Sequence, residues 1–293
     1  MSSSDLDQVR AEFAERIRAE CGLQSEALVR GLATVPREAF VGPGPWRLLH
    51  PREMEKGYQT TPDDDPRHLY DKVLVALDPA RSLNNGEPSS LLRWLDALSL
   101  GPGDRFLHVG CGVGYYTAIA AQAVLPGGRV VGIEIDSELA ERARHNLAPY
   151  ANVEVAAGDG SALAAGTFDA LLVNAGATEL PAVWLDALAP GGRLLVPLTV
   201  TLPAGAAVTA GDVGGGLMLR VTRQGEGYAA AFAGPVGIFH CAGARTPEGE
   251  ALLRAAFASG GYQEVCTLRR EPHERQAECW LHAPGFCLSR ALP

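Results

Sequence analysis

Leu6, Val9, Phe13 and Ile17 recur at three- and four-residue intervals, a spacing that lines them along one stripe of an N-terminal amphipathic helix. Ser25 stands where a hydroxyl can cap a second helix running through Leu32, with Pro36 stopping it. The stretch 42–68, "GPGPWRLLHPREMEKGYQTTPDDDPRH", loses all periodicity and is rich in Pro, Gly and Asp. Trp46, Leu48, Leu49 and Tyr58 within it need a surface to pack on, so it reads as an ordered loop or lid rather than a linker.

From residue 88 the pattern alternates. Pro88 opens a helix with Leu91, Leu95 and Leu98 on one face, ended by Gly101. "RFLHV" predicts a strand, "YYTAIAAQAV" a helix and "GGRVVGIEI" a strand. "SELAERARHNL" predicts a helix with Leu139, Ala143 and Leu147 inward and Glu138 four residues before Arg142. "NVEVAA" and "FDALLVN" follow as strands, "LPAVWLDAL" as a helix and "RLLVPL" as a strand. Such alternation predicts an α/β fold: a Rossmann-like, doubly wound, mostly parallel sheet behind N-terminal helices. Residues 217–240 add two or three strands without helices between them, an antiparallel edge. Thr246 and Pro247 start a last helix to about Phe257, and short strands near Cys266–Arg269 and Ala277–His282 complete a small C-terminal extension.

Composition narrows the class. The chain has 293 residues, 47 % hydrophobic and 20 % charged, which is ordinary globular composition. A net charge of −9 disfavours nucleic acid as a partner, since phosphate binding needs a basic surface. Lys56 and Lys72 are the only lysines, which leaves two candidates for any Schiff-base chemistry. Six scattered cysteines without a framework spacing read as reduced thiols. The opening "MSSSDLDQVRAEF" has no signal-peptide pattern, and no apolar run is long enough to span a bilayer. A cytoplasmic protein without a membrane partner is expected.

The candidate chemistry begins at "LHVGCGVGYYT", where Gly110, Gly112 and Gly114 follow a strand and precede a helix. That arrangement turns main-chain N–H groups toward a ligand, and glycine allows close approach and positive φ. A dinucleotide loop asks for glycine where Tyr115 stands; the spacing suits a nucleoside-binding methyltransferase loop better. Glu134, ending the next strand, can accept from both ribose hydroxyls, and Asp159 after the third strand can accept from an adenine amino group. Together they point to S-adenosyl-L-methionine. Asn174 ends the fourth strand at the sheet edge where ligands bind in such folds, though it equally suits a turn. Of Tyr115 and Tyr116, one is placed to touch the methionine part and the other to fill the core.

At this point the chain resembles the protein-L-isoaspartate O-methyltransferase family. "VPREAFVGP" (35–43), "YDKVLV" (70–75), the glycine-loop and Glu134 segments, "VEVAAGDGSAL", "FDALLVNAGATELP", "LAPGGRLLVPL" and "LRVTRQGEGYAAAFAGPVGI" (219–238) follow that family's order, covering about residues 28–245. The resemblance implies three regions: helices and substrate loop or lid at 1–87, a methyltransferase domain at 88–245, and an extension at 246–293 with no counterpart. It implies carboxyl O-methylation of an aspartyl or isoaspartyl residue in a protein or peptide. Two positions depart. His108 stands where the family usually has an acid that orients the cofactor. The family's Thr-Ile-Ser-x-Pro-His-Met run, which carries hydroxyls beside the acceptor carboxylate, becomes Asn84, Asn85, Gly86, Glu87, Pro88, Ser89, Ser90.

A carboxylate acceptor is ionised at neutral pH and needs no general base, so a missing catalytic triad is no obstacle. Asn84, Asn85, Ser89 and Ser90 are candidates for positioning the acceptor, with the helix N-terminus favouring its charge. Glu87 would repel an acid, so it reads as a helix cap or as a guide for a cationic or amine acceptor. A small metabolite, a natural-product peptide, or a catalytically silent cofactor-binding role are the competing readings. His240, Cys241, Cys266, His273, Cys279, His282 and Cys287 lack paired metal-knuckle spacing. On a regular strand Cys279 and His282 would face opposite ways, so no metal site is expected.

Overall fold

A computed structural model of the chain describes residues 3–81, 83–162, 166–202 and 213–292. They form two compact units that interleave along the sequence: residues 1–104 with 111–157, and residues 105–110 with 158–293.

In the first unit the predicted apolar stripe becomes the helix Ser3–Cys21, with Phe13 and Ile17 fully buried and Leu6 and Val9 half-exposed nearer its start. The next helix, Glu26–Thr34, is capped by Ser25, whose hydroxyl accepts from Leu28 N–H, and it buries Leu28, Val29 and Leu32. The stretch 42–68 is ordered. Its strands Arg47–Leu49 and Gln59–Thr60 pair antiparallel, and Leu74–Asp78 and Leu83–Asn84 extend them into a four-stranded sheet. Trp46, Leu48 and Leu49 supply the buried side, as their need for packing required, while Tyr58 stays partly exposed.

The helix Pro88–Ala97 buries Leu91, Leu92 and Leu95. The helix Tyr115–Ala123 is apolar almost all round and accordingly buried on nearly every side. Strands Arg129–Glu134 and Val153–Ala157 run parallel, joined by the helix Ser137–Leu147. Asp136 starts that helix by accepting from Glu138 and Leu139 N–H. Leu139, Ala143 and Leu147 face inward as the period predicts.

The second unit orders its strands Cys279–Ala283, Phe286–Ser289, Thr267–Arg269, Gly227–Phe239, Val213–Gln224, Leu188–Thr201, Phe168–Val173 and Arg105–Val109. The last three are parallel neighbours; the other pairings are antiparallel, so this sheet is mixed and carries the expected antiparallel edge. The reason is local: 213–239 is one long hairpin of two strands, and a hairpin can only be antiparallel. The strand carrying "RLLVPL" is also longer than expected, since it starts at Leu188 and runs through Pro190, Gly191 and Gly192. The helix Ala182–Asp186 is shorter than its apolar pattern, beginning only after Pro181. Thr246 caps the last helix, Pro247–Ser259. The extension ends in three short strands, not two. Among the described residues no helix is long and apolar enough to cross a membrane.

Candidate active site

All three loop glycines take the left-handed conformation, with φ of 75° at Gly110, 56° at Gly112 and 92° at Gly114. In the first unit, a Cβ on Gly114 would lie 2.6 Å from Leu147, whereas one on Gly112 would meet nothing within 4 Å. Gly114 secures packing; Gly112 leaves its Cα side open.

Gly112 N–H donates to Glu134 Oε2 at 2.7 Å, and Asp136 N–H donates to Glu134 Oε1 at 3.1 Å. Glu134 is 7 % exposed. Burial pushes its carboxyl above the ordinary value, opposed by the N–H groups of Asp136 and Gly112. A carboxylate offers about four acceptor positions, and the main-chain N–H groups of Gly112, Asp136 and Ile135 take up part of them.

Tyr115 and Tyr116 both pack into the core, edge-on to each other. Tyr116 donates its hydroxyl to Gly86 O at 3.1 Å. Tyr115 lies against Phe40 and under the Arg37 guanidinium, and its buried hydroxyl has no hydrogen-bond partner among the described residues. Of the two, Tyr115 retains a free polar end.

The second unit holds the remaining predicted cofactor residues. His108 is fully buried on its strand, stacked on Phe106, and burial lowers its pKa to about 4. It is a neutral imidazole where the resemblance implies an acid. Asn174 donates its N–H to Val109 O at 2.8 Å and its side-chain amide to Gly110 O at 3.3 Å. It therefore fixes the strand end that leads into the glycine loop. Asp159 Oδ1 accepts from Ser161 N–H at 2.9 Å. A Cβ on Gly243 would fall 2.1 Å from the Asp159 carboxylate, so the main chain at 243 lies directly against it. Sequence reading missed Gly243; nothing in "HCAGAR" marks it as a partner of a distant acid.

The acceptor candidates of the first unit are mostly occupied by one another. Glu87 accepts from Ser89 N–H at 2.9 Å and Ser90 N–H at 3.0 Å, the helix cap that its position predicts. The Ser89 and Ser90 hydroxyls also donate to it, at 2.7 and 3.0 Å. Glu87 thus accepts the hydrogen bonds that these serines and the helix N-terminus are expected to offer an acceptor carboxylate. Asn84 Oδ1 accepts from Gly86 N–H at 2.9 Å, and buried Asn85 Oδ1 accepts from Arg37 Nε at 3.1 Å.

Arg37 is the main residue that sequence reasoning missed. It is fully buried, and besides Asn85 it donates to the carbonyls of Leu69, Val73 and Gly86, each at 2.9 Å. Tyr70 sits beside it: its hydroxyl donates to Glu38 Oε2 at 2.5 Å and accepts from Arg10 Nε at 2.9 Å and Arg37 N–H at 3.1 Å. Thus "VPREAFVGP" and "YDKVLV" are tied to each other and to the 85–86 turn.

With this geometry in place, the comparisons are specific. The family profile for protein-L-isoaspartate(D-aspartate) O-methyltransferase (PCMT) matches residues 81–204. Protein-L-isoaspartate O-methyltransferase 2 of Archaeoglobus fulgidus is 31 % identical over 198 residues, spanning 66 % of this chain and 80 % of that one. The chain belongs to the protein-L-isoaspartate O-methyltransferase family. The Methylorubrum populi member is 31 % identical over 234 residues, 78 % of this chain and 93 % of that one. A solved protein-L-isoaspartate O-methyltransferase superposes with a TM-score of 0.62 at 20 % identity, covering 85 % of this chain and 69 % of that chain. A Plasmodium falciparum structure described as a family member in complex with S-adenosyl-L-homocysteine gives 0.58 at 18 %, covering 79 % and 97 %. The fold is accordingly the Rossmann-like α/β fold of these methyltransferases.

Proposed function

We propose that this chain is an S-adenosylmethionine-dependent methyltransferase that esterifies the side-chain carboxylate of an aspartyl or isoaspartyl residue in a protein or peptide. The observation that carries this reading is Glu134: a buried carboxylate at the end of its strand, fixed by Gly112 N–H beside the glycine loop. In the first unit we assign Gly112, Gly114, Tyr115 and Glu134 to the cofactor; in the second, His108, Gly110, Asp159 and Asn174. Six free thiols and the lack of a membrane-crossing helix among the described residues support a cytoplasmic location.

The cofactor supplies an electrophilic methyl group on a sulfonium. The chain's own work is positioning and exclusion of water, because an acceptor carboxylate is already a nucleophile at neutral pH. Glu134 orients the ribose, and the open backbone at Gly112 admits close approach. Tyr115 offers a buried hydroxyl. Arg37 holds the 85–86 turn so that the acceptor meets a fixed surface.

Incubating the chain with methyl-labelled cofactor and an isoaspartyl peptide tests the reading, with base-labile label on the peptide as the expected result. Cofactor uptake without any such ester would reject this acceptor. The bonds from Ser89 and Ser90 to Glu87 favour a second reading, in which the acceptor is a small metabolite or natural-product peptide methylated on oxygen or nitrogen. A base-stable methylated product distinguishes it. Transfer to any acceptor dismisses a silent cofactor-binding role.

A further inference from the structure

Far from the glycine loop in sequence, the second unit gathers four side chains that methyl transfer does not use. His273, Cys279, His282 and Cys287 each present a donor atom, and these atoms all lie within 4.8 Å of one another. Cys279 Sγ is 3.5 Å from His273 Nε2, and the two imidazole rings meet edge to face at 4.8 Å. Both thiols are free and buried. His282 Nδ1 is buried with no hydrogen-bond partner among the described residues.

The local structure explains why the sequence argued against this grouping. Strand Cys279–Ala283 pairs antiparallel with Phe286–Ser289, placing His282 opposite Cys287. A register shift between Cys279 and Leu281 breaks the two-residue alternation, so Cys279 and His282 are brought together despite their odd spacing. His273 comes from the irregular stretch between the strands Thr267–Arg269 and Cys279–Ala283. Its Nδ1 lies 2.8 Å from the Glu271 carbonyl oxygen. Donation of Nδ1–H to that carbonyl fixes the tautomer that leaves the Nε2 lone pair for a metal, a common arrangement around ligating histidines.

We propose that His273, Cys279, His282 and Cys287 bind one zinc ion in a closed, structural site. Two thiolates and two imidazoles are a donor set suited to tetrahedral Zn²⁺, and four protein ligands leave no open position for catalysis. With zinc–sulfur bonds of about 2.3 Å and zinc–nitrogen bonds of about 2.0–2.1 Å, tetrahedral donors lie roughly 3.3–3.8 Å apart, so closure needs about 1 Å of contraction. Binding takes one Zn²⁺ and releases two thiol protons; the dication and two thiolates then balance in charge. The ion would pin the irregular 270–278 stretch onto the final hairpin, and its binding energy would become folding energy for the extension.

The test uses the untagged full-length chain, purified under reducing conditions, exchanged against Zn²⁺ and freed of excess metal. Elemental analysis is expected to return one zinc per chain, and a mercurial thiol reagent to release it. Co²⁺ in its place should show thiolate charge-transfer bands and the intense ligand-field bands of a tetrahedral site. His273→Gln and Cys287→Ser should each weaken zinc at least tenfold, while Cys266→Ser should leave it bound. Chelation of the wild-type chain should lower its unfolding midpoint by about 5 °C. If Cys287→Ser does not fold, zinc release and the cobalt spectrum of the wild-type chain decide the matter. Absence of zinc and of a tetrahedral cobalt spectrum would overturn the proposal. So would a Cys279–Cys287 disulfide in the reduced preparation, or zinc retained equally by both ligand variants. None of these readouts depends on methyl transfer.

Discussion

Glu134 and Glu87 lie in the same compact unit, and each accepts main-chain N–H groups beside a glycine turn. Glu134 is buried and its carboxylate accepts main-chain N–H groups, those of Gly112 and Asp136 among them. Glu87 takes two N–H groups and two serine hydroxyls, which closes the 87–90 turn on itself. The difference teaches that the two carboxylates suit different work: the proposed role of Glu134 is to hold the cofactor, whereas Glu87 gathers the donors of its own helix start. Variation in substrate is expected at Glu87, and loss of all function at Glu134.

The largest effect is expected where the 85–86 turn is anchored. Arg37→Met removes a buried cation whose partners are one amide and a set of carbonyls, leaving those acceptors unsatisfied. Denaturant unfolding should show a loss of about 3–5 kcal/mol. A loss below 1 kcal/mol would mean that the turn does not depend on this clamp.

His108 ties stability to pH. Its pKa falls from 6.5 to about 4 on folding because burial disfavours the imidazolium. A depressed value means that its contribution is present above the unfolded value and lost as pH falls from 6.5 toward 4. That loss amounts to about 3 kcal/mol at most. His108→Phe should flatten the stability profile in this window, as followed by thermal unfolding. An unchanged slope would place the acid sensitivity elsewhere.

Glu87→Ala should have the smallest effect on stability, about 1 kcal/mol for a lost cap. It frees two hydroxyl donors and two N–H groups, so KM for a carboxylate-bearing peptide should fall several-fold with kcat little changed. A rise in KM would show that Glu87 itself contacts the acceptor.

Much of this was readable before the structure. The Ser137–Leu147 helix and the Glu87 cap follow from local rules, as do the left-handed loop glycines, because neighbours in sequence determine them. What escaped depended on distant chain. Arg37 satisfies itself with carbonyls, which every residue has, so no pattern announces its partners. Gly243 matters only because Asp159 lies against it. The strand from Leu188 absorbs a Pro-Gly-Gly sequence that reads as a turn. The Cys and His cluster rests on one register shift, which a strict alternation rule turns into the wrong face.

The central claim is that Glu134, fixed by Gly112, grips the donor's ribose. Calorimetric titration of S-adenosylhomocysteine into the wild-type chain and Glu134→Gln tests it most directly, since the amide replaces one acceptor oxygen with a donor facing an N–H group. The account predicts saturable binding to the wild-type chain and at least a tenfold weaker affinity in the variant, a difference of about 1.4 kcal/mol or more. Equal affinity in both, or no binding to the wild-type chain, would contradict it.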